Sequence, residues 1–325
     1  MSKKIILSES KYDYKYQNIF SRIKNIEVVE GNFLTLLKLL FKKNVYYHIR
    51  YVKYKGYILT IIRLLIIYGT VKLTKSKIIW SCHNIYEHNI PSKRYNDFLR
   101  FLLSFISDFI IVFHKDLSNN LPSFANKKTV VASFGEFKDF IKNQKDENIN
   151  FSNSYEIWLD ENGIKGPSII SISAAKRNNL DVLIQNSINI NCLIIAPNII
   201  NTINLKNKKN IFFYNNNFVK KEVHDILNTT DKLIGYIGHD NISVPTSIYM
   251  YASYGIPVIV LNNQPVNSII KQYKMGEILT EDNNIAKISQ LILNNYSFYQ
   301  NNCLKFLEDN SWDNSASKHS KIFED

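Results

Sequence analysis

Short β-type runs alternate with longer helical patterns along almost the whole chain, and no other feature of the sequence restricts its fold as much. That alternation is how parallel sheets built from βαβ units read, because each parallel strand must be followed by a crossover, usually a helix. In the first half the strands read KKIIL, IEVV, NVYYHI, KIIWSC, DFIIVF and KTVVAS, with helical patterns such as NFLTLLKLLFK, GYILTIIRLLIIYG and RYNDFLRFLLSFI between them. A polar, Asn- and Lys-rich segment at 142–154 breaks the pattern and is the linker candidate. The alternation then restarts with GPSIISIS, NCLIIAP, NIFFYN, KLIGYIG, PVIVLN and GEIL. The sequence thus predicts an α/β chain of two Rossmann-like, doubly wound domains, residues 1–150 and 155–309, which suits its 325 residues. Open α/β sheets bind ligands outside the carboxyl ends of their strands, so chemistry is expected there, in a cleft that two such domains would share.

Hydrophobic residues make up 45% and charged residues 21%, with 20 Tyr and 19 Phe, enough apolar area for folded cores. Forty Lys and Arg against 28 Asp and Glu give a net charge of +12, which favours anionic partners such as nucleic acid, acidic lipid or phosphorylated ligands. The lysines read as scattered along the chain, so a bias toward Lys, Asn and Ile codons is the alternative source of the excess. Cys82, Cys192 and Cys303 are far apart with no C-x-x-C, which suggests neither a disulfide framework nor a structural zinc site. With no signal-like segment at the N-terminus and no stretch of ~20 apolar residues, a cytoplasmic protein is expected, either free or peripheral on the inner face of the cell membrane. The apolar segment 57–73 contains Arg63 and follows the basic aromatic run YYHIRYVKYKGY. It reads either as a helix lying on an anionic membrane surface, with Lys53, Lys55 and Arg63 meeting lipid phosphates, or as a buried helix behind a buried strand.

The stretch SCHNIYEHN, residues 81–89, follows the apolar run KIIW and therefore lies at the carboxyl end of a strand. His83 and His88 lack the i, i+4 spacing of a helical zinc pair, so the stretch reads as a polar ligand-binding edge or as hydrogen-bonded structure, and no metal is expected. As a binding edge, His83 would meet polar ligand groups, Glu87 or His88 would serve as general base, and a strand-end His83 would support little core. In the second half, Lys176 and Arg177 fall on the turn between the first strand and its helix, where two cations can reach a diphosphate beside the helix N–H groups. A solvated loop pair is the alternative. In IGHDNISVPTSIYMYASYGIPVIV, Pro245 suits the first turn of a helix, and Ser243, Thr246 and Ser247 can cap it or bind an anion. The absence of G-x-G-x-x-G and of a Walker lysine motif argues against nicotinamide enzymes and P-loop ATPases.

Taken in order, KIIWSCHNIYEHN, DFIIVFHKDLSNNL, VVASFGEF, SIISISAAKRNNLDVLI, DKLIGYIGHDNISVPTSIYMYASYGIPVIV and QPVNSIIKQYKMGEIL resemble the GT-B glycosyltransferases of bacterial surface polysaccharide synthesis, most closely the family 4-like enzymes. The resemblance spans nearly the whole chain. It implies transfer of a sugar from a nucleotide diphosphate donor, most simply a UDP-sugar, to a saccharide or lipid-linked acceptor held by the first domain, with the C-terminal tail, about 310–325, packing back on that domain. It places His83 beside the donor sugar and Lys176 and Arg177 near the diphosphate. Thr246 and Ser247 fall at the helix that receives the donor phosphates, with Ser243 and Tyr214 added to the donor set, and Ser8 and Glu9 on the loop facing donor and acceptor. The candidate bases are Glu87, His88 and Glu9. Neither a metal nor any other cofactor is implied, the nucleotide-sugar being a substrate. Two departures stand out: the family 4 pattern E-x7-E would fall on Ile242 and Met250, and the Lys-Gly after the basic residue is replaced by Asn178 and Asn179.

The competing reading is a noncatalytic basic protein that binds nucleic acid or nucleotides. No nucleic-acid-binding motif is present and the aromatics fall inside apolar runs, so no nucleic-acid partner is expected.

Overall fold

The computed structural model describes residues 4–9, 12–39, 42, 44–87, 90, 92–139, 159–172, 179–186, 190–195, 210–214, 226–228 and 232–324. The expected linker at 142–154, and with it His88, Lys176 and Arg177, lies outside the described residues. The chain divides into two compact units. The first comprises Met1–Gly135, Asn241–Val244 and Asn310–Asp325, and the second Glu136–Asp240 and Pro245–Asp309.

The first unit is built on a six-stranded parallel sheet of β1 (Lys4–Ser8), β2 (Ile26–Glu30), β3 (Val45–Ile49), β4 (Lys77–Cys82), β5 (Phe109–Val112) and β6 (Thr129–Val131), in the order β2-β1-β3-β4-β5-β6. The central strands are apolar on both faces, as a parallel sheet covered by helices requires; β3 is buried at every position. The helix Tyr57–Leu73 links β3 to β4 and Lys93–Ile106 links β4 to β5. Parallel crossovers are right-handed, so both helices fall on one face of the sheet, and Tyr95 joins them by donating its hydroxyl to the Tyr57 carbonyl at 2.5 Å. The opposite face carries the helix Tyr14–Ser21, on which the C-terminal helix Trp312–Ser320 packs through a Tyr14–Trp312 edge contact and an Arg22–Asp313 ion pair of 3.1 Å.

The second unit repeats the architecture with β7 (Ser168–Ile172), β8 (Asn191–Ile195), β9 (Ile211–Tyr214), β10 (Leu233–Ile237), β11 (Val258–Leu261) and β12 (Gly276–Leu279), again all parallel, in the order β12-β11-β10-β7-β8-β9. Its core gathers Ile169, Leu183, Ile194, Ile234 and Ile259 from the strands and their crossovers around Ile285 and Ile288 of the helix Ile285–Asn294. Two doubly wound parallel sheets are therefore present, as the alternation predicts.

Tyr16, Tyr46, Tyr47, Tyr236, Tyr249 and Tyr251 are among the largest fully buried side chains, so these six cannot serve as stacking platforms for nucleic acid. The run YYHIRYVKYKGY divides: its first part is the strand that NVYYHI predicts, while Tyr51, Lys53, Lys55 and Tyr57 beyond it are exposed. Tyr46, Tyr47, His48 and Ile49 form the buried strand β3, and Arg50 beyond it is 7% exposed, because a strand with neighbours on both edges and helices on both faces has no surface to offer.

Candidate functional site

In a doubly wound sheet the ligand crevice opens at the carboxyl ends of the two strands between which the winding reverses. In the first unit those strands are β1 and β3, and a pocket of ≈ 60 Å3 lies there, lined by Ser8 and Glu9 from the end of β1, His48 and Arg50 from the end of β3, and Thr60 and Arg63 from the following helix. Glu9 receives hydrogen bonds from the Tyr47 hydroxyl and the Arg63 guanidinium and pairs with Lys53 at 3.1 Å. Burial pushes its carboxyl up, but the bonds from Arg63 and Tyr47, the Arg63 charge and Lys53 together hold it below the ordinary value. Glu9 is thus an ionised, clamped carboxylate, a poor proton acceptor and a well-fixed hydrogen-bond acceptor.

Next to the pocket, a polar network runs under the strand ends. The Tyr12 hydroxyl and His48 Nδ1 share a hydrogen bond of 2.7 Å, and His48 Nε2 and the Ser81 hydroxyl one of 2.8 Å. The Arg50 guanidinium lies over the rings of Tyr12 and Tyr16, 4.8 and 5.4 Å from their centroids, a placement that suits a buried cation. Burial, then Arg50 and His319, hold the His48 imidazole well below its ordinary pKa, so it is neutral at pH 7.

His83 follows β4 and is half-buried. Its ring stacks between Tyr51 (4.8 Å, 15°) and Phe113 (4.7 Å, 18°), with Phe134 stacked beyond Phe113, and its Nε2 and the Tyr16 hydroxyl share a 2.9 Å hydrogen bond. The expectation that this side chain supports little core is therefore corrected: it is one layer of an aromatic stack drawn from four separate segments. Burial, then Lys15, His48 and Arg50, keep it neutral.

Glu87, in the loop after β4, is held by its backbone, its N–H donating to Asn96 Oδ1 at 2.8 Å, while burial alone raises its carboxyl to about 7. The same loop pairs with residues 241–243: Asn84 bridges Ser243, Ile85 N–H donates to the Ile242 carbonyl at 3.1 Å, and Asn241 Nδ2 donates to the Tyr86 carbonyl at 2.8 Å. Ser243 is committed to this pairing. The N-cap Pro245 gives the helix Thr246–Ser253 no side-chain cap, and Thr246 and Ser247 are half-buried in its first turn. A raised carboxyl is a stability statement: its charged form is disfavoured in the folded state, so the associated stability is present below the unfolded value near 4.5 and is lost as pH rises through about 7. Glu87→Gln is accordingly expected to stabilise the protein by on the order of 1–3 kcal/mol at pH 8 and by little at pH 4, measured as denaturant midpoints at both pH values.

In the second unit the winding reverses between β7 and β10. Asn179 spans these strand ends: its side chain donates to the Gly238 carbonyl at 2.8 Å, and its own carbonyl accepts from the Tyr236 hydroxyl at 3.1 Å. Tyr251, from the helix Thr246–Ser253, fixes that helix to β7 by donating to the Ile170 carbonyl and accepting from Ile172 N–H, both at 3.1 Å. Gly235 in β10 makes room for it, since a Cβ there would stand 2.7 Å from the Tyr251 ring. Thr246 and Ser247 are thereby positioned over this sheet's carboxyl edge, while Tyr214 ends β9, at the far edge of the sheet from β10. Among the described residues no cluster of three or more His, Cys, Asp or Glu side chains is placed to hold a metal ion, and the three cysteines are buried and free.

Arg50 and the His48–Ser81 pair were not singled out from the sequence, and Lys53 and Arg63 were read only as possible lipid contacts, not as partners of Glu9. Their signal is positional only: each lies in or just after an apolar run, which becomes informative once strand order is known.

Two such sheets, wound in these orders, define the GT-B glycosyltransferase fold. The chain aligns over 99% of its length with 98% of HepE from Anabaena, solved with UDP, at 10% identity and a TM-score of 0.63. It is similar over 99% of its length to 98% of sucrose-phosphate synthase from Thermosynechococcus elongatus (10% identity, TM-score 0.63) and to 89% of a glycosyltransferase from Rickettsia africae (16%, 0.60). No protein-family pattern and no curated protein sequence matches the chain. At these identities the likeness establishes the fold.

Proposed function

We propose that the protein is a glycosyltransferase that moves a sugar from a nucleotide diphosphate donor to a hydroxyl of a saccharide or lipid-linked acceptor, in bacterial polysaccharide or glycan synthesis at the inner face of the cell membrane. The observation that carries this reading is full-length likeness, in both sheets, to HepE, a protein solved with UDP, with UDP-glucose, and with UDP and glucose. UDP-sugars are accordingly the donors to test first.

In this reading the second unit binds the nucleotide diphosphate. Lys176 and Arg177 supply cations, and Thr246 and Ser247 offer hydroxyls and the free N–H groups of a helix start, so the charge that builds on the departing diphosphate is met by preorganised donors. Neutral His83, its Nε2 occupied by Tyr16, offers Nδ1 to the donor sugar. Glu87, raised to about 7, is the proton acceptor for an inverting transfer, since a carboxyl with that value is half ionised at neutral pH yet basic enough to take a hydroxyl proton. The clamped carboxylate of Glu9 orients acceptor hydroxyls at the β1–β3 pocket, and the reaction needs no metal.

A thermal-shift screen of nucleotide sugars tests the assignment. The right donor at 100 times its dissociation constant stabilises the protein by about 2.7 kcal/mol, a rise of a few degrees in Tm. Stabilisation by duplex DNA with none by any nucleotide or nucleotide sugar would replace this reading by the binding-protein alternative.

A further inference from the structure

The first sheet's two helical faces differ sharply. The helix Tyr57–Leu73 buries Thr60, Leu64, Ile67 and Val71 against the sheet, yet its outer face is also apolar: Ile58 is 73% exposed, Leu59 60% and Leu65 51%, with Ile62 and Ile66 beside them. The neighbouring helix Lys93–Ile106 on the same face exposes Phe98, Phe101 and Phe105, and Phe101 meets the exposed Phe124 edge-on at 5.6 Å. Leu34 and Leu37, packed beside Tyr57–Leu73, extend the layer. The opposite face, with Tyr14–Ser21 and Trp312–Ser320, exposes no large hydrophobic side chain. A helix apolar all round is expected to be covered on both sides, and an apolar layer of this extent marks an interaction surface.

Charge identifies what covers it. Between Glu30 and Glu87 the sequence has no Asp or Glu, while Lys or Arg occurs at 38, 42, 43, 50, 53, 55, 63, 72, 75 and 77, so this span alone accounts for +10 of the chain's +12. Of these, Lys38, Lys42, Lys55, Lys72 and Lys75 are exposed on and around the apolar helices. A second copy of the same face would bring like charges together, and a nucleic acid would gain nothing from exposed leucines and isoleucines. Aliphatic and aromatic side chains fringed by lysine, with the nearby acids Asp97 and Asp108 already paired to Arg100 and Lys72, fit an anionic bilayer surface. No helix among the described residues is long and apolar enough to cross a membrane, so the layer would lie in the interface.

We propose that the protein docks on anionic membranes through the outer faces of helices Tyr57–Leu73 and Lys93–Ile106. The inner side of the first helix also lines the β1–β3 pocket through Thr60, Arg63 and Leu64, so docking brings that pocket beside the lipid headgroups. The surface stands on exposure and charge alone and holds whether or not the chain transfers sugar.

Vesicle flotation of the full chain tests it, with phosphatidylcholine vesicles and with vesicles containing about one-third phosphatidylglycerol, at low and high salt. The wild type should float with the anionic vesicles and at least tenfold less with the neutral ones, and the anionic binding should weaken at high salt as charges are screened. Ile62→Gln/Leu65→Gln/Ile66→Gln should reduce anionic flotation at least tenfold with unchanged Tm, because these side chains already face outward. Phe101→Gln/Phe105→Gln, on the other helix, supplies an independent loss, and Lys38→Gln/Lys55→Gln/Lys75→Gln should reduce the preference for anionic over neutral vesicles. Equal flotation of wild type with both vesicle types, or triple variants that float like wild type, overturns the proposal. So does a wild type that is dimeric by light scattering when Ile62→Gln/Leu65→Gln/Ile66→Gln is monomeric, which would assign the face to a second copy.

Discussion

Lowering the pH from 6.5 toward 4 should strip the first unit of a large part of its stability. His48 and His319 are both buried and both neutral. Burial, partly countered by the Ser315 carbonyl and deepened by Lys318, brings His319 down to about 4. Its Nδ1 donates to that carbonyl at 2.8 Å, and its Nε2 has no hydrogen-bond partner among the described residues, so protonation would bury an N–H with nothing to receive it. For a group whose folded value is depressed, the unfolded chain binds the proton more readily. The stability it contributes is therefore complete above the unfolded value near 6.5 and is lost as pH falls to the folded value. His319 alone accounts for on the order of 3 kcal/mol over that window, and His48 adds to it, against a total that rarely exceeds ~5–15 kcal/mol. His83 is held below its ordinary value in the same way, chiefly by burial. Glu87 works in the opposite sense, gaining stability as it protonates below about 7, so Glu87→Gln should make the acid loss steeper. Denaturant unfolding followed from pH 7 to pH 4 gives the slope, and His319→Gln should flatten it. A midpoint constant over that range in the Glu87→Gln variant, where nothing offsets the histidines, would mean that they are reached by water in the folded state.

The strands were legible because parallel sheets bury both faces. Runs such as KIIWSC, DFIIVF and PVIVLN carry nearly continuous β-branched and aromatic side chains, and β4, β5 and β11 fall within them. The run YYHIRYVKYKGY was harder, since His48 and Arg50 make it look polar. Only the neighbours of β3, together with the rings of Tyr12 and Tyr16 under Arg50, explain how those groups are accommodated indoors. The Glu9 clamp was out of reach for a different reason: Arg63 lies a helix away in sequence and meets Glu9 only once β1, β3 and their crossover are assembled. The segment 57–73 fitted both a surface helix and a buried helix because its composition is apolar on every side, and the structure shows one buried face and one open face. The acid-free span between Glu30 and Glu87, by contrast, was readable in the sequence and was obscured by lysines elsewhere that are balanced by acids.

Replacing His83 is expected to lower sugar transfer by roughly 10²-fold or more, the scale on which a lost transition-state hydrogen bond in a preorganised site is measured. Its surroundings decide which replacement is informative. Between Tyr51 and Phe113 an alanine would remove a stacked ring and leave the Tyr16 hydroxyl, fully buried, without the nitrogen that now partners it. His83→Ala should therefore lose stability as well as activity, through the lost ring and the lost hydrogen bond, and cannot by itself separate the two roles. His83→Phe keeps a flat ring in the stack, and Tyr16→Phe alongside it removes the hydroxyl that would lose this partner, so the double variant should melt close to the wild type. Tyr16→Phe alone should keep most of the transfer, since the imidazole remains in place. If transfer follows the imidazole, both variants lacking it are slow whatever their Tm, and the change lies in kcat more than in KM. Should His83→Phe/Tyr16→Phe transfer sugar at the wild-type rate, His83 is a packing residue, and the contact to the donor sugar must come from another group at the carboxyl edge of the first sheet.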